Sequence, residues 1–323
     1  MRYLVTGGAG FIGSHLVEEL LAQGHEVAVL DDLSTGRAEN IEPFKPAGGF
    51  HYVIDSVMNP AVVAELVDRA DVVFHLAAAV GVFLVVESPV RTIETNVHGT
   101  ETVLAAAAKK GRKVVLASSS EVYGSSASAR FREDDDLVLG PPTQARWSYA
   151  CSKALDEFLA LAHHREGGLP VVICRIFNTV GPRQTGRYGM VVPRFVAQAL
   201  AGGPITVYGD GTQTRAFCYV KDTVRALVGL AAEEAAVGEV FNVGTDRETT
   251  VGELAERVRR LVNPAAEIAH VPYDQAYAPG FRDMLRRVPY ISKLRRLLGF
   301  EPSLDIDGII QEVRGHIAAH GDR

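Results

Sequence analysis

The sequence predicts an α/β protein: an open, doubly wound parallel sheet joined to a smaller α/β part that interleaves with it. Three observations predict this. Short, continuous apolar runs recur at 72–76, 114–117 and 170–176, as suits strands buried on both faces. Stretches of helical length separate them. A glycine-rich turn lies between the first strand-like run and the first helical stretch.

Taken in order, residues 2–6 read as the first strand. The turn Gly7-Gly8-Ala9-Gly10-Phe11-Ile12-Gly13 follows, and Ile12, Leu16, Leu20 and Leu21 then share one helical face. A second strand over 26–30 ends in Asp31-Asp32. Helices are predicted over 89–110, where Pro89 takes a first-turn position whose N–H is not needed, and over 147–164. The alternation runs to about residue 176 and marks a first domain, 1–176. Beyond it Gly and Pro become frequent, and helices are expected at about 191–202, 222–234, 251–262 and 305–319. Thr250-Val251-Gly252-Glu253 has the spacing of a capping box for the third of these. Residues 177–323 form most of a second domain. The apolar run 239–243 reads as a strand returning to the first sheet.

Composition narrows the function. With 323 residues, 47% of them hydrophobic and 22% charged, the chain is neither disordered nor short of a core. A net charge of −6 argues against a nucleic-acid partner, though not against a local basic pocket. Cys151, Cys174 and Cys218 are odd in number and scattered, which predicts reduced thiols in a cytoplasm rather than a disulfide framework or a metal site. No apolar run approaches the ~20 residues of a membrane span, and the glycines of the first turn interrupt any signal peptide. Asp134-Asp135-Asp136 reads as a solvated loop, and His163-His164 as partners of a helix dipole rather than metal ligands.

Gly7, Gly10 and Gly13 permit a tight turn and close approach of a pyrophosphate to the backbone, and a helix N-terminus offers it free N–H groups. Asp31 stands roughly 20 residues on, where a carboxylate binds both ribose hydroxyls of NAD and repels the 2′-phosphate of NADP. Arg37 nearby is the one feature that favours a phosphate. Tyr149 and Lys153 lie at i and i+4 on one helical face. A free tyrosine, with a pKa near ~10, is a poor base; a neighbouring ammonium and a positive nicotinamide would favour the phenolate. Such a pair can also be plain surface, and Ser118-Ser119-Ser120 a plain polar turn. Yet the serines follow an apolar strand, and ligands bind at strand C-termini in such sheets.

The chain resembles the extended short-chain dehydrogenases/reductases, in the NAD-dependent nucleotide-sugar epimerase/dehydratase family. The likeness lies in TGGAGFIG at 6–13, HLAA at 75–78, SSSEVYG at 118–124, YACSK at 149–153, RIFNTVGPR at 175–183 and YGDGTQTRAFCYVKD at 208–222. It implies a Rossmann sheet, NAD as cofactor and a nucleotide sugar, most simply a UDP-sugar, held between the two domains. It makes Ser119, Tyr149 and Lys153 the catalytic triad. Gly7, Gly10, Phe11, Ile12, Gly13, Asp31, Asp55, Ala77 and Asn96 would join Tyr149 and Lys153 around the cofactor. Ser120, Asn178, Arg183, Arg187 and Arg215 would meet the substrate. Helices 89–110 and 147–164 would pair with a second copy as a four-helix bundle, giving a homodimer. No metal is implied.

By the same resemblance, the shared first step is oxidation of the sugar at C4. Glu121, two residues after Ser119, is similar in placement to the Glu of UDP-glucuronate decarboxylases and dTDP-glucose 4,6-dehydratases, where it acts near C5 or C6. A Glu there can also simply cap or pair with an arginine. Ala154 and Tyr290 depart from the decarboxylase pattern, and Ser120 departs from the dehydratase one. The reading favours UDP-glucuronate decarboxylation, then UDP-sugar 4-epimerisation, then 4,6-dehydration. An NAD-binding regulatory protein would be expected to lack the Tyr or the Lys.

Overall fold

The computed structural model describes residues 1–81, 88–126, 128–186, 190–272, 275 and 286–321. β1 (Arg2–Thr6) leads through the glycine turn into α1 (Phe11–Ala22), followed by β2 (Glu26–Asp31) and β3 (Phe50–Ile54). Next come α2 (Pro60–Arg69), β4 (Val72–His75), α3 (Pro89–Lys110), β5 (Lys113–Ser119), α4 (Trp147–Gly167) and β6 (Val171–Ile176). The chain continues through β7 (Thr179–Val180), α5 (Val191–Leu200), β8 (Ile205–Tyr208), β9 (Thr214–Ala216) and β10 (Cys218–Tyr219). Then follow α6 (Val220–Ala232), β11 (Glu239–Val243), β12 (Glu248–Thr250) and α7 (Val251–Val262). It ends with β13 (Ile268–Val271), β14 (Arg286–Arg287), α8 (Ser292–Leu298) and α9 (Ile306–His320).

Seven parallel strands form the central sheet in the order β11-β6-β5-β4-β1-β2-β3. The order reverses between β1 and β4, and ligands of such sheets sit in the crevice outside the strand C-termini at that point. The continuous apolar runs are explained by burial on both faces. Val5, Phe74, Val115, Val172 and Cys174 join α1 and α6 on one side, whereas their neighbours Leu4, Val73, Val114, Val171 and Ile173 join α2, α3 and α4 on the other. β5 runs two residues past 117 because Ser118 and Ser119 still pair with Arg175 and Ile176. α4 runs past 164 to Gly167, and Gly168 ends it in the left-handed region, φ 69°.

A second core gathers α5, α7, α9 and β8 around Phe195, Ile205, Leu254, Val258, Ile310 and Val313. The chain weaves between the two cores. α6 packs Leu227 and Leu230 into the first core, β11 pairs with β6, and Ile291 and Leu294 return to that core before α9 rejoins the second. The capping box forms: Thr250 Oγ1 accepts from the Glu253 N–H at 3.0 Å and Glu253 accepts from the Thr250 N–H at 3.0 Å.

Candidate active site

The crevice at the switch point is a cavity of about 490 Å³ lined from both halves of the chain. Its floor on the β1 side is the glycine turn. Gly7 has φ +74°, and a Cβ there would lie 2.8 Å from the Ala77 nitrogen; a Cβ on Gly13 would lie 2.1 Å from the Gly7 oxygen. Neither position admits a side chain. Gly10 begins α1 with no side-chain cap, so the first N–H groups of the helix are left for a ligand. Phe11, Ile12 and Ala77 also line the cavity.

Asp31 ends β2, with Oδ2 accepting from the Ala9 N–H at 2.9 Å and Oδ1 from the Leu33 N–H at 2.8 Å. Burial pushes its carboxyl up, and these two bonds oppose the rise. Asp55 accepts from the Ser56 N–H and from Asn59, and it lines the same end of the cavity. This set of glycine turn, uncapped helix end and acidic strand terminus fits a dinucleotide. Asn96 is placed differently from the expectation. It stands behind the wall, 1% exposed, with Oδ1 accepting from the Ala79 N–H at 2.8 Å and Nδ2 donating to Ser152 Oγ at 3.0 Å. Its amide is spent on holding the backbone after β4.

Ser119 caps the short 3-10 turn Ser120–Tyr123, its Oγ accepting from the Glu121 N–H at 3.2 Å, and its hydroxyl also bonds the Tyr149 phenol. Burial raises the proton affinity of Tyr149; Lys153 and Ser119 pull it back, and the net direction is up. Lys153 lies behind the wall, 2% exposed, and donates to Asp156 Oδ2 at 2.9 Å. Behind Ser118, Glu157 takes the Ser118 hydroxyl at 2.5 Å and the Arg175 guanidinium at 2.8 Å.

Glu121 faces the cavity and is clasped by Arg287, with Arg146 at 3.4 Å. Burial pushes its carboxyl up, but Arg287, Arg146 and Arg215 outweigh that and hold it below the usual carboxylate range. Arg287 also donates to Asn178 Oδ1 at 2.7 Å, while Asn178 Nδ2 donates to the Ala216 carbonyl. The pairing of β9 with β14 sets Arg215 beside Arg287, so both guanidiniums reach the cavity from one face. Ser120 lines it too. Arg183 lies on the cavity wall at φ 67°, but its guanidinium is turned to α1, 2.6 Å from Glu18. Arg187 lies outside the described residues.

Sequence reasoning missed Arg146, Arg287 and Asp156. Asp156 shares a helical face with Lys153 at i+3, a signal that was available. Arg287 carries no motif and is 166 residues from Glu121. Among the described residues, no group of three or more His, Cys, Asp or Glu could hold a metal, and no helix is long and apolar enough to cross a membrane.

The sequence matches the NAD dependent epimerase/dehydratase family over residues 3–244. It is 42% identical over 312 residues to a Bacillus cytotoxicus protein named UDP-N-acetyl-alpha-D-glucosaminuronate decarboxylase, covering 96% of each chain. It is 40% identical to UDP-glucuronic acid decarboxylase 1 of Arabidopsis thaliana, over 95% of this chain and 67% of that one. The fold superposes with a TM-score of 0.88 on UDP-glucuronic acid 4-epimerase from Bacillus cereus, solved with UDP-glucuronic acid and NAD, at 28% identity and 99% coverage of both.

Proposed function

The chain belongs to the NAD dependent epimerase/dehydratase family, and on that premise we propose that it decarboxylates a UDP-hexuronate through a transient 4-keto sugar. One observation carries the choice of reaction: Glu121 sits in the cavity as a carboxylate paired with Arg287 and Arg146. Dehydration needs a neutral acid to protonate the leaving C6 oxygen. An ionised Glu121 is no such acid, and Ser120 beside it carries none. For a uronate the decarboxylase names of the relatives favour loss of CO₂ over 4-epimerisation, and 4-epimerisation of a neutral UDP-hexose has no use for paired arginines. A C6 carboxylate does, because it brings a negative charge into the cavity and passes it to C5 and the C4 oxygen as CO₂ departs. The decarboxylase names of the two relatives support this reading.

When bound, NAD would supply the hydride acceptor and donor for C4 of the sugar. Tyr149 takes the proton of the C4 hydroxyl, Ser119 bonds that oxygen, and Lys153 balances the phenolate. Loss of CO₂ replaces a C–C bond at C5 by C–H, so each turnover consumes one proton. Tyr149 gives its own back to the C4 oxygen, and the C5 proton is drawn from outside that exchange. Arg215 and Asn178 are assigned to the sugar nucleotide; Gly7, Gly10, Gly13, Asp31 and Asp55 are assigned to the cofactor.

Residues 1–176 with β11 are assigned to the cofactor domain and most of 177–323 to the substrate domain. The three free thiols support a reducing, cytoplasmic setting. Exposed Val90 and Ile93 on α3, with Leu155 and Phe158 on α4, support a homodimer through these helices.

The test is to incubate the protein and NAD separately with UDP-glucuronate, its 2-acetamido analogue, UDP-glucose and dTDP-glucose, and to weigh the products. Loss of CO₂ from a uronate is expected. An isomer of unchanged mass from the uronates or UDP-glucose, or loss of water from dTDP-glucose, with no CO₂ released, overturns the reading.

A further inference from the structure

Behind Tyr149 lies a buried chain of polar groups of which the reaction above uses Lys153 alone. The Ala77 N–H donates to Thr6 Oγ1 at 3.2 Å, Thr6 Oγ1 is 2.8 Å from His75 Nδ1, and His75 Nε2 is 3.1 Å from Thr100 Oγ1. Thr100 faces the Asp156 carboxyl, whose Oδ2 takes the Lys153 ammonium at 2.9 Å. With His75 neutral, either ring nitrogen can carry the proton, so the chain can run in either direction. Burial pushes the Asp156 carboxyl up and the Lys153 ammonium pulls it back, with the net direction up; at 2.9 Å the two meet as an ion pair. The chain links the end of β1, where the dinucleotide turn begins, to the ammonium one turn from Tyr149.

The other ionisable groups around this pair are already matched. Glu157, on α4 itself, is held by Arg175 of β6 at 2.8 Å. Glu121, on the turn after β5, is clasped by Arg287 and Arg146. His75 of β4 is kept neutral by burial, with Lys153 adding to the effect, its pKa pushed down to about 3. From α3 the facing side chains are the uncharged Asn96 and Thr100. Among the described residues, Asp156 is the anion next to the catalytic pair whose ion-pair partner is Lys153 itself.

We propose that Asp156 is a positioning residue that holds Lys153 in place and sets the pH range over which the Tyr149–Lys153 pair works. The proposal rests on the reading of Tyr149 as the proton acceptor. A fixed negative charge raises the proton affinity of both neighbours, and removing it lowers both. The two limbs of the pH profile, release of the Tyr149 proton and loss of the Lys153 proton, should therefore move together.

The experiment is Asp156→Asn, which keeps size and an acceptor for Thr100 and Lys153. Both limbs of kcat/KM against pH are expected to shift to lower pH by about one unit, with KM little changed. Ultraviolet difference titration, with Tyr149→Phe as the blank, should show the Tyr149 phenolate appearing at lower pH by a similar amount. Limbs that stay in place while the rate falls equally at every pH overturn the role of Asp156. Should Asp156→Asn not accumulate as folded protein, Asp156→Ser supplies a smaller neutral acceptor with the same expected shift, and unmoved limbs there overturn the proposal equally. Undiminished turnover by Tyr149→Phe overturns the reading of Tyr149 and this proposal with it; an inactive Tyr149→Phe with unmoved limbs overturns Asp156 alone.

Discussion

Tyr149 is governed by opposed effects. Burial raises its proton affinity, Lys153 and Ser119 lower it, and burial wins. In this site the ammonium alone does not suffice, which is why the spacing argument set a positive nicotinamide beside it. A second positive charge is needed, and the family's cofactor carries one on its nicotinamide. Glu121 shows the same competition with the opposite result, because arginines from three segments outweigh burial. Glu121→Gln should leave those arginines without their anion. CO₂ release from UDP-glucuronate is expected to fall about 10²-fold, while C4 oxidation continues and reduced nicotinamide accumulates on the enzyme. Wild-type CO₂ release by the variant would remove Glu121 from the mechanism. Tyr149 and Lys153 were legible because their relation is one helical turn. The partners of Glu121 were not, because β14 must first lie beside β9 to bring Arg287 within reach.

At the scale of elements, the strands buried on both faces were the legible ones. An uninterrupted apolar run such as Val114, Val115 and Leu116 leaves a parallel strand as its simplest explanation. β3 escapes that rule. It is the edge strand with one neighbour, and His51, Tyr52 and Ile54 are exposed, so its pattern carries no periodic signal. α1 and β4 each hold a buried histidine with an acid-stability consequence. His15 lies 2.9 Å from the Pro182 carbonyl oxygen, and burial pushes its pKa down to about 4; His75 is pushed to about 3. Below the ordinary value of 6.5 the unfolded chain takes up protons that the folded chain refuses. Stability is therefore complete above pH 6.5 and is lost as pH falls towards about 4 for His15 and about 3 for His75. The His15 share is about 3 kcal/mol by pH 4. Urea midpoints of His15→Gln should fall less steeply than wild type across this window, and parallel curves would exclude His15 as a source of the acid sensitivity.

On the scale of the whole molecule, net charge was a poor guide to the site. The chain carries −6, yet Arg146, Arg215 and Arg287 converge on one cavity. A sum over residues cannot show that convergence, because the three come from different segments meeting at the junction of two cores. The outer surface has its own anomaly. α3 and α4 pack side by side and leave Val90 at 66% exposure, Ile93 at 44%, Leu155 at 49% and Phe158 at 67% on their free faces. Four large apolar side chains on two adjacent helices form a patch that a solvated monomer would not favour. A twofold pairing with the same helices of a second copy would cover it, and such an interface would bring each residue near its own symmetry mate. A charge placed at Phe158 would then meet its copy in a desolvated setting, where like charges are costly. Gel filtration should place the wild type at twice 34.8 kDa and Phe158→Glu at 34.8 kDa with its NAD still bound. A wild type that elutes at 34.8 kDa, or a variant that still elutes at twice that mass, would mean this face is not where two copies meet.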